Sequence, residues 1–301
     1  DKRLIMRFYA AQLLGSLFIF FASTSVVYCQ DFELAGVRYY NYPSSRVDNN
    51  SDNQFSVQEF GAFFNIPLVS KNKKTAIING LRYAFVRINN ENNPLVSIEK
   101  FMNLQAIAYR LMIWHQLSDR WSVVAMFEPT LASDFKAQLS GDDLVIQSTA
   151  FMIKKFGTDF QLGSGLAYTT RFGNPLVIPI IPLKFKSGKH NLNALLPLRL
   201  SYTYAIRSNL DIGVKAMTNG ANFNVTGFSN DTTEINKINY TRANLGPVIY
   251  FRPKKMITIE LSGGVSTNRK VEATDLDNNR FQRTNSTEAF FNVGLVIKPV
   301  K

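Results

Sequence analysis

One cysteine, two histidines and two tryptophans are spread over 301 residues, and beyond residue 30 no uninterrupted apolar run approaches the roughly 18 residues that a membrane-spanning helix needs. The single cysteine, Cys29, excludes a disulfide framework, a CxxC redox pair and a thiolate metal site. The histidines, His115 and His190, stand near turns, and no G-x-S-x-G elbow supplies a nucleophile for them. Gly163-Ser164-Gly165 reads instead as small residues relieving a curved strand. Asp275-Leu276-Asp277-Asn278-Asn279 starts like a calcium loop, but Arg280 stands where the turn glycine is needed and Ser286 where the bidentate glutamate is needed. These absences read as a non-enzymatic chain with no cofactor and no metal.

The formal charge is +12, yet the basic residues form no single run or helical face, so no nucleic-acid partner is expected. What recurs is alternation. From Asp159 to Arg171, Phe160, Leu162, Leu166 and Tyr168 share one face, and Gln161, Gly163, Gly165, Ala167 and Thr169 share the other. Asn191 to Thr203, Asn209 to Met217 and Ile257 to Ser266 repeat the pattern. Period-two segments of this length, joined alternately by short turns and long polar loops, predict an all-β transmembrane antiparallel barrel of the bacterial outer membrane.

Twelve strands are expected, at 33–43, 55–68, 75–88, 103–116, 119–132, 143–155, 158–171, 191–205, 208–225, 237–252, 256–271 and 284–298. Pro175 to Lys186 resists this scheme, because three prolines disfavour a central strand. It reads as an extracellular flap, a lumen-folding loop or a hairpin raising the count to fourteen. Residues 1–29 read as a cleaved signal peptide: Lys2, Arg3 and Arg7 precede an apolar segment, and Val27-Tyr28-Cys29 precedes Gln30. The barrel then occupies 30–301.

Aromatic girdles are expected at the membrane interfaces, and Trp114, Trp121, Phe156, Phe160, Tyr202, Tyr204, Tyr250 and Phe251 flank the short turns. A charge on a lipid-facing strand costs about 2–4 kcal/mol for Arg or Lys. The lumen is therefore the expected place for Arg82, Arg110, Glu128, Arg171, Arg199, Lys215, Arg242 and Glu260. On adjacent strands, Arg171, Arg199 and Lys215 are assigned to the lumen, and Leu166, Leu198 and Val214 to lipid. Two functions follow from such an interior. One is a passive channel for small solutes with a mildly basic lumen; the other is a closed barrel, its charges paired, serving as a structural or assembly partner of another envelope protein. Outer-membrane lipid is a partner in both.

Gly173-Asn174-Pro175, Pro179, Pro182, Leu195-Leu196-Pro197, Tyr202 and Asn219-Gly220-Ala221-Asn222-Phe223 together resemble an uncharacterised family of Bacteroidota outer-membrane β-barrels. The resemblance implies location and fold, and carries no catalytic or binding residues onto this chain.

Overall fold

A computed structural model of the chain describes residues 32–46, 54–91, 101–230, 233–285 and 287–299. The segment read as a signal peptide, 1–29, lies outside them. The strands in chain order are β1 Ala35–Arg46, β2 Gln54–Val69, β3 Thr75–Glu91, β4 Phe101–Gln116, β5 Trp121–Ser133, β6 Leu144–Phe156, β7 Phe160–Thr169 and β8 Leu176–Ser187. They continue as β9 His190–Leu196, β10 Arg199–Arg207, β11 Leu210–Asn230, β12 Thr233–Lys254, β13 Ile257–Asp275, β14 Arg280–Asn285 and β15 Glu288–Ile297.

Each strand pairs antiparallel with its neighbours, and β15 returns onto β1, Ala35 opposite Ile297, so the sheet closes. β14 and β15 both pair with β13, one along its upper part and one along its lower, and together make a single stave. The fifteen strands thus form a barrel of fourteen staves, which leaves no exposed sheet edge around the full circle of its lower half. The connections at 70–74, 117–120, 157–159, 188–189, 208–209 and 255–256 all lie at the rim where β1 begins and β15 ends.

The period-two alternation becomes two surfaces. Leu81, Leu166, Val177, Val214, Phe291 and Val293 stand on the outside, each at least half exposed. Their sequence neighbours point inward and are buried or half-buried. An apolar exterior on a closed barrel is the lipid-facing belt of a bacterial outer-membrane protein.

The count of fourteen is the alternative that Pro175 to Lys186 left open, and it departs from the preferred twelve in two places. Residues 191–205 are not one strand: β9 runs to Leu196, the chain turns at Pro197-Leu198, and β10 returns with Arg199 opposite Leu195. Paired residues in this hairpin differ by an even number, so the face assignment reads the same whether the chain continues or reverses. Pro175 to Lys186 is the other place, being stave β8. Its inward residues Ile178, Ile180 and Pro182 are as apolar as its outward Val177, Pro179 and Ile181, which hides any alternation. Pro179 is tolerated because β9 reaches only to the level of Ile181, leaving β8 an edge strand above that point.

Candidate functional site in the lumen and wall

Staves β11 and β12 are 21 and 22 residues long, whereas the β9 and β10 strands between β8 and β11 have 7 and 9. The long staves carry apolar residues on their inner faces well above the short hairpin. There Phe223, Val225, Ile235, Ile238 and Tyr240 meet Val57, Val86, Ile88, Met102 and Leu104 from β2, β3 and β4 in one buried cluster. Opposite walls therefore touch across the outer half of the lumen. A plug of this kind excludes water for the same reason that a soluble core does.

Below the plug the interior is ionic. Arg242 on β12 donates to the Tyr42 hydroxyl at 2.6 Å and pairs with Glu59 on β2. Glu260 on β13 accepts from Lys215 of β11 at 2.5 Å and from Arg38 of β1 at 3.2 Å. Arg38 also reaches Glu33 at 2.8 Å, and Arg110 of β4 pairs with Glu128 of β5. At the level of the plug itself, on the upper part of β13, Arg269 is wholly buried, its guanidinium 5.0 Å from the centre of the Phe55 ring. Buried charges survive only when partnered in this way.

The expected site residues can be placed in this frame. Arg82, Arg110, Glu128, Arg199, Lys215, Arg242 and Glu260 lie at inward positions of their strands. Arg171 is not on a strand, because β7 ends at Thr169, and it belongs to the β7–β8 connection. Leu198, assigned to lipid, sits in the β9–β10 turn, 4% exposed, packed on inward-facing Ala167 and Ile180. A reversal displaces the residue at its apex from either face, which alternation cannot register. Trp121, Phe156, Phe160, Tyr202, Tyr204 and Phe251 lie on the outer side near the short turns, whereas Trp114 and Tyr250 occupy inward positions, Trp114 opposite Ala76 and Tyr250 opposite Glu260. Arg38, Tyr42 and Arg269, which tie the network together, were not singled out from sequence. Arg38 and Tyr42 share a parity with Tyr40, and that was the available signal.

Above the β9–β10 tip the wall changes construction. β8 from Leu176 to Ile180 is paired only to β7, and β11 from Asn219 to Phe223 only to β12. The two edges are bridged from below by the Thr218 N–H donating to the Leu198 carbonyl at 3.0 Å. Higher up, Asn224 pairs with Ser133 at the end of β5. Between these bridges the 170–175 connection fills the space: a Cβ on Gly220 would lie 2.5 Å from the Arg171 carbonyl oxygen, and one on Gly173 3.5 Å from Thr241 Cγ2.

The upper bridge is secured by the 134–143 connection. Asp134 accepts from the Thr226 N–H at 3.1 Å, and Asn224 Nδ2 donates to Asp143 at 3.1 Å. Asp143 also accepts from the Ser140 N–H at 2.6 Å, closing a capping box around a single 3-10 turn. Burial alone would raise the Asp143 carboxyl, but the hydrogen bonds from Ser140, Ser133 and Asn224 outweigh it and hold it below the usual carboxylate range.

Among the described residues each histidine meets a hydroxyl: His115 shares a hydrogen bond of 2.8 Å with Thr75, and His190 one of 2.7 Å with Tyr202. Asp275 is consumed by its own turn, accepting from the Asn279 N–H at 2.7 Å.

Solved structures with a similar course include an outer membrane channel from Pseudomonas putida F1, at 10% identity over 90% of this chain and 99% of that one, TM-score 0.46. The translocator domain of the autotransporter NalP from Neisseria meningitidis shows 9% identity over 99% and 98%, TM-score 0.40. A deletion mutant of the monoaromatic hydrocarbon channel TodX shows 8% over 87% and 88%, TM-score 0.42. No curated protein matches the sequence. Residues 30–298, nearly the whole barrel, match a single family model, and the chain belongs to that family, described as Domain of unknown function (DUF6268).

Proposed function

We propose that this outer-membrane barrel is a passive port for small anionic solutes, with a mildly basic lumen held shut at rest. The observation that carries the reading is the excess of arginine over carboxylate around the interior, where Glu59, Glu128 and Glu260 are already engaged by Arg242, Arg110, Lys215 and Arg38. Of the charged groups bearing most strongly on Arg82 and Arg171, namely Arg38, Arg110, Arg199, Arg242 and Glu128, only Glu128 is acidic. Basic side chains lining a constriction favour anions. The resting closure is supplied by the apolar plug around Phe223 and Ile238.

Planar-bilayer recording tests it. The wild-type protein gives rare, anion-biased steps, and Phe223→Ala, which thins the plug, makes them frequent. Cation-biased current overturns the reading, and so does silence from both proteins when each is shown to be folded by heat-modifiable gel migration. The plug itself favours a second reading, a permanently closed barrel that serves as a structural or assembly partner in the envelope. Silence from folded protein is the result that reading expects.

A further inference from the structure

Outside the lumen, positive charge gathers at one end of the barrel. At the rim of short connections, each connection carries or adjoins lysine or arginine, from Lys71 and Lys74 round to Lys254 and Lys255. Glu33 and Asp211 at this end are engaged by Arg38 and Arg252, which leaves Asp119 and Asp159 in the turns. The 134–143 connection at the opposite end is acidic instead, with Asp134, Asp142 and Asp143 against Lys136. Short turns are the periplasmic ones in an outer-membrane barrel, so the basic rim lies at the level of the inner leaflet.

On the outer wall of this rim an aromatic band crosses β5 to β10. Trp121 stands opposite Lys154, Phe156 opposite Phe160, Phe160 opposite Phe185, and His190 opposite Tyr204. Lys154 lies over the Trp121 and Phe156 rings, 5.3 and 5.2 Å from their centres, and Lys189 lies over Tyr204 at 5.8 Å. Between the two lysines Phe156 packs on Phe160 at 5.6 Å, and Phe185 is exposed beside them. Each lysine is thus held on the lipid side of the wall by the rings it covers.

We infer that this band is a binding surface for anionic phospholipid of the inner leaflet, the phosphodiester on Lys154 and Lys189 and the glycerol and first methylenes on Phe156, Phe160 and Phe185. Position selects this occupant. Girdle aromatics lie at headgroup depth, and lysines seated on them present their ammonium groups sideways to the bilayer, whereas a soluble partner docking from below meets the turn tips at Lys71 and Lys255. Charge selects the headgroup. The ammonium of a zwitterionic lipid would face two lysines with no carboxylate in the band to answer it, since Asp159 in the turn beneath accepts from the Thr158 hydroxyl at 2.8 Å. Each lysine at a membrane surface strengthens attraction to an anionic headgroup. The surface works in the same way whether or not the lumen conducts.

Native mass spectrometry of the full chain, folded in a neutral detergent, stripped of lipid and titrated, tests it. The probes are phosphatidylglycerol, phosphatidylethanolamine with the same acyl chains, and a soluble oligoglutamate peptide. The expected result is that phosphatidylglycerol binds saturably and more tightly than phosphatidylethanolamine, and that oligoglutamate does not displace it. Lys154→Gln combined with Lys189→Gln weakens that binding roughly thirtyfold, about fivefold for each lysine. Lys154→Arg combined with Lys189→Arg retains it. Lys71→Gln combined with Lys74→Gln, which removes the same charge from a turn tip away from the band, leaves it unchanged. Every variant is compared as protein that migrates as a folded barrel. Equal weakening by the two glutamine pairs would show only a diffuse attraction of the whole rim and overturns the inference, as does equal binding of the two lipids. Displacement by oligoglutamate overturns it too, and makes the rim a site for an acidic peptide.

Discussion

Arg242 on β12 and Glu59 on β2 form an ion pair across the lumen, both buried, with the Tyr42 hydroxyl completing the arginine's shell. Removing one partner strands the other. Glu59→Ala is expected to destabilise the barrel by about 3–5 kcal/mol, whereas the double variant Glu59→Leu with Arg242→Met recovers most of that loss. Urea-driven unfolding from lipid vesicles measures both. Additive losses in the double variant would show that the two side chains do not depend on each other.

Gly220 presents a different dependence. A methyl group there meets the Arg171 carbonyl oxygen at 2.5 Å, and that atom is backbone, so the 170–175 connection has to shift. Gly220→Ala is expected to speed tryptic cleavage after Arg171 severalfold at a stability cost of roughly 1–3 kcal/mol. Cleavage at the wild-type rate would place that connection elsewhere.

The faces of β11 are open to a direct check. Val214 is half exposed on the outside and Lys215 points inward to Glu260. Val214→Arg should impair vesicle insertion by about 2–4 kcal/mol if it lies near the midplane, whereas Val214→Leu should be neutral. Equal tolerance of both would mean that this face does not meet lipid.

Acid should loosen the 134–143 connection. The folded Asp143 carboxyl is held below its ordinary value, near 3.9 in an unfolded chain. The stabilisation it provides is therefore complete above that ordinary value and is lost as pH falls through the lower folded one. Pepsin susceptibility of the connection, followed from pH 4 to pH 2, should rise with acid. Asp143→Ala should show the raised susceptibility already at pH 4, with a cost of about 1 kcal/mol for the lost cap. A flat profile in wild type would mean that Asp143 does not anchor the connection.

The barrel and most of its faces could be read from alternation, because one buried and one lipid-facing surface force a period of two. What escaped was whatever leaves that period intact or erases it. The β9–β10 reversal keeps Leu195 and Arg199 in phase, so the chain reads as if it ran straight. β8 is apolar on both faces, Ile180 inside and Ile181 outside. The inner charges, acids and bases together, were found as a group because charge is excluded from lipid, but which base meets which carboxylate was not, since Arg242 and Glu59 lie 183 residues apart and no spacing rule connects them. The plug was hidden for a related reason: Val86 and Ile88 look like ordinary strand residues until Phe223 is brought against the same cluster.

The hairpin that escaped sequence reading has a consequence for the membrane itself. Seven residues in β9, at ~3.3 Å each and a tilt of about 40°, span about 18 Å of bilayer, against an apolar band about 25 Å tall. In that one sector the ladder stops before the hydrocarbon does. Acyl chains beside it meet the 170–175 connection where they would elsewhere meet a hydrogen-bonded sheet, so the leaflet adjusts its thickness there. The protein thus marks a single azimuth of its circumference, and neighbours that prefer thin lipid will gather on that side.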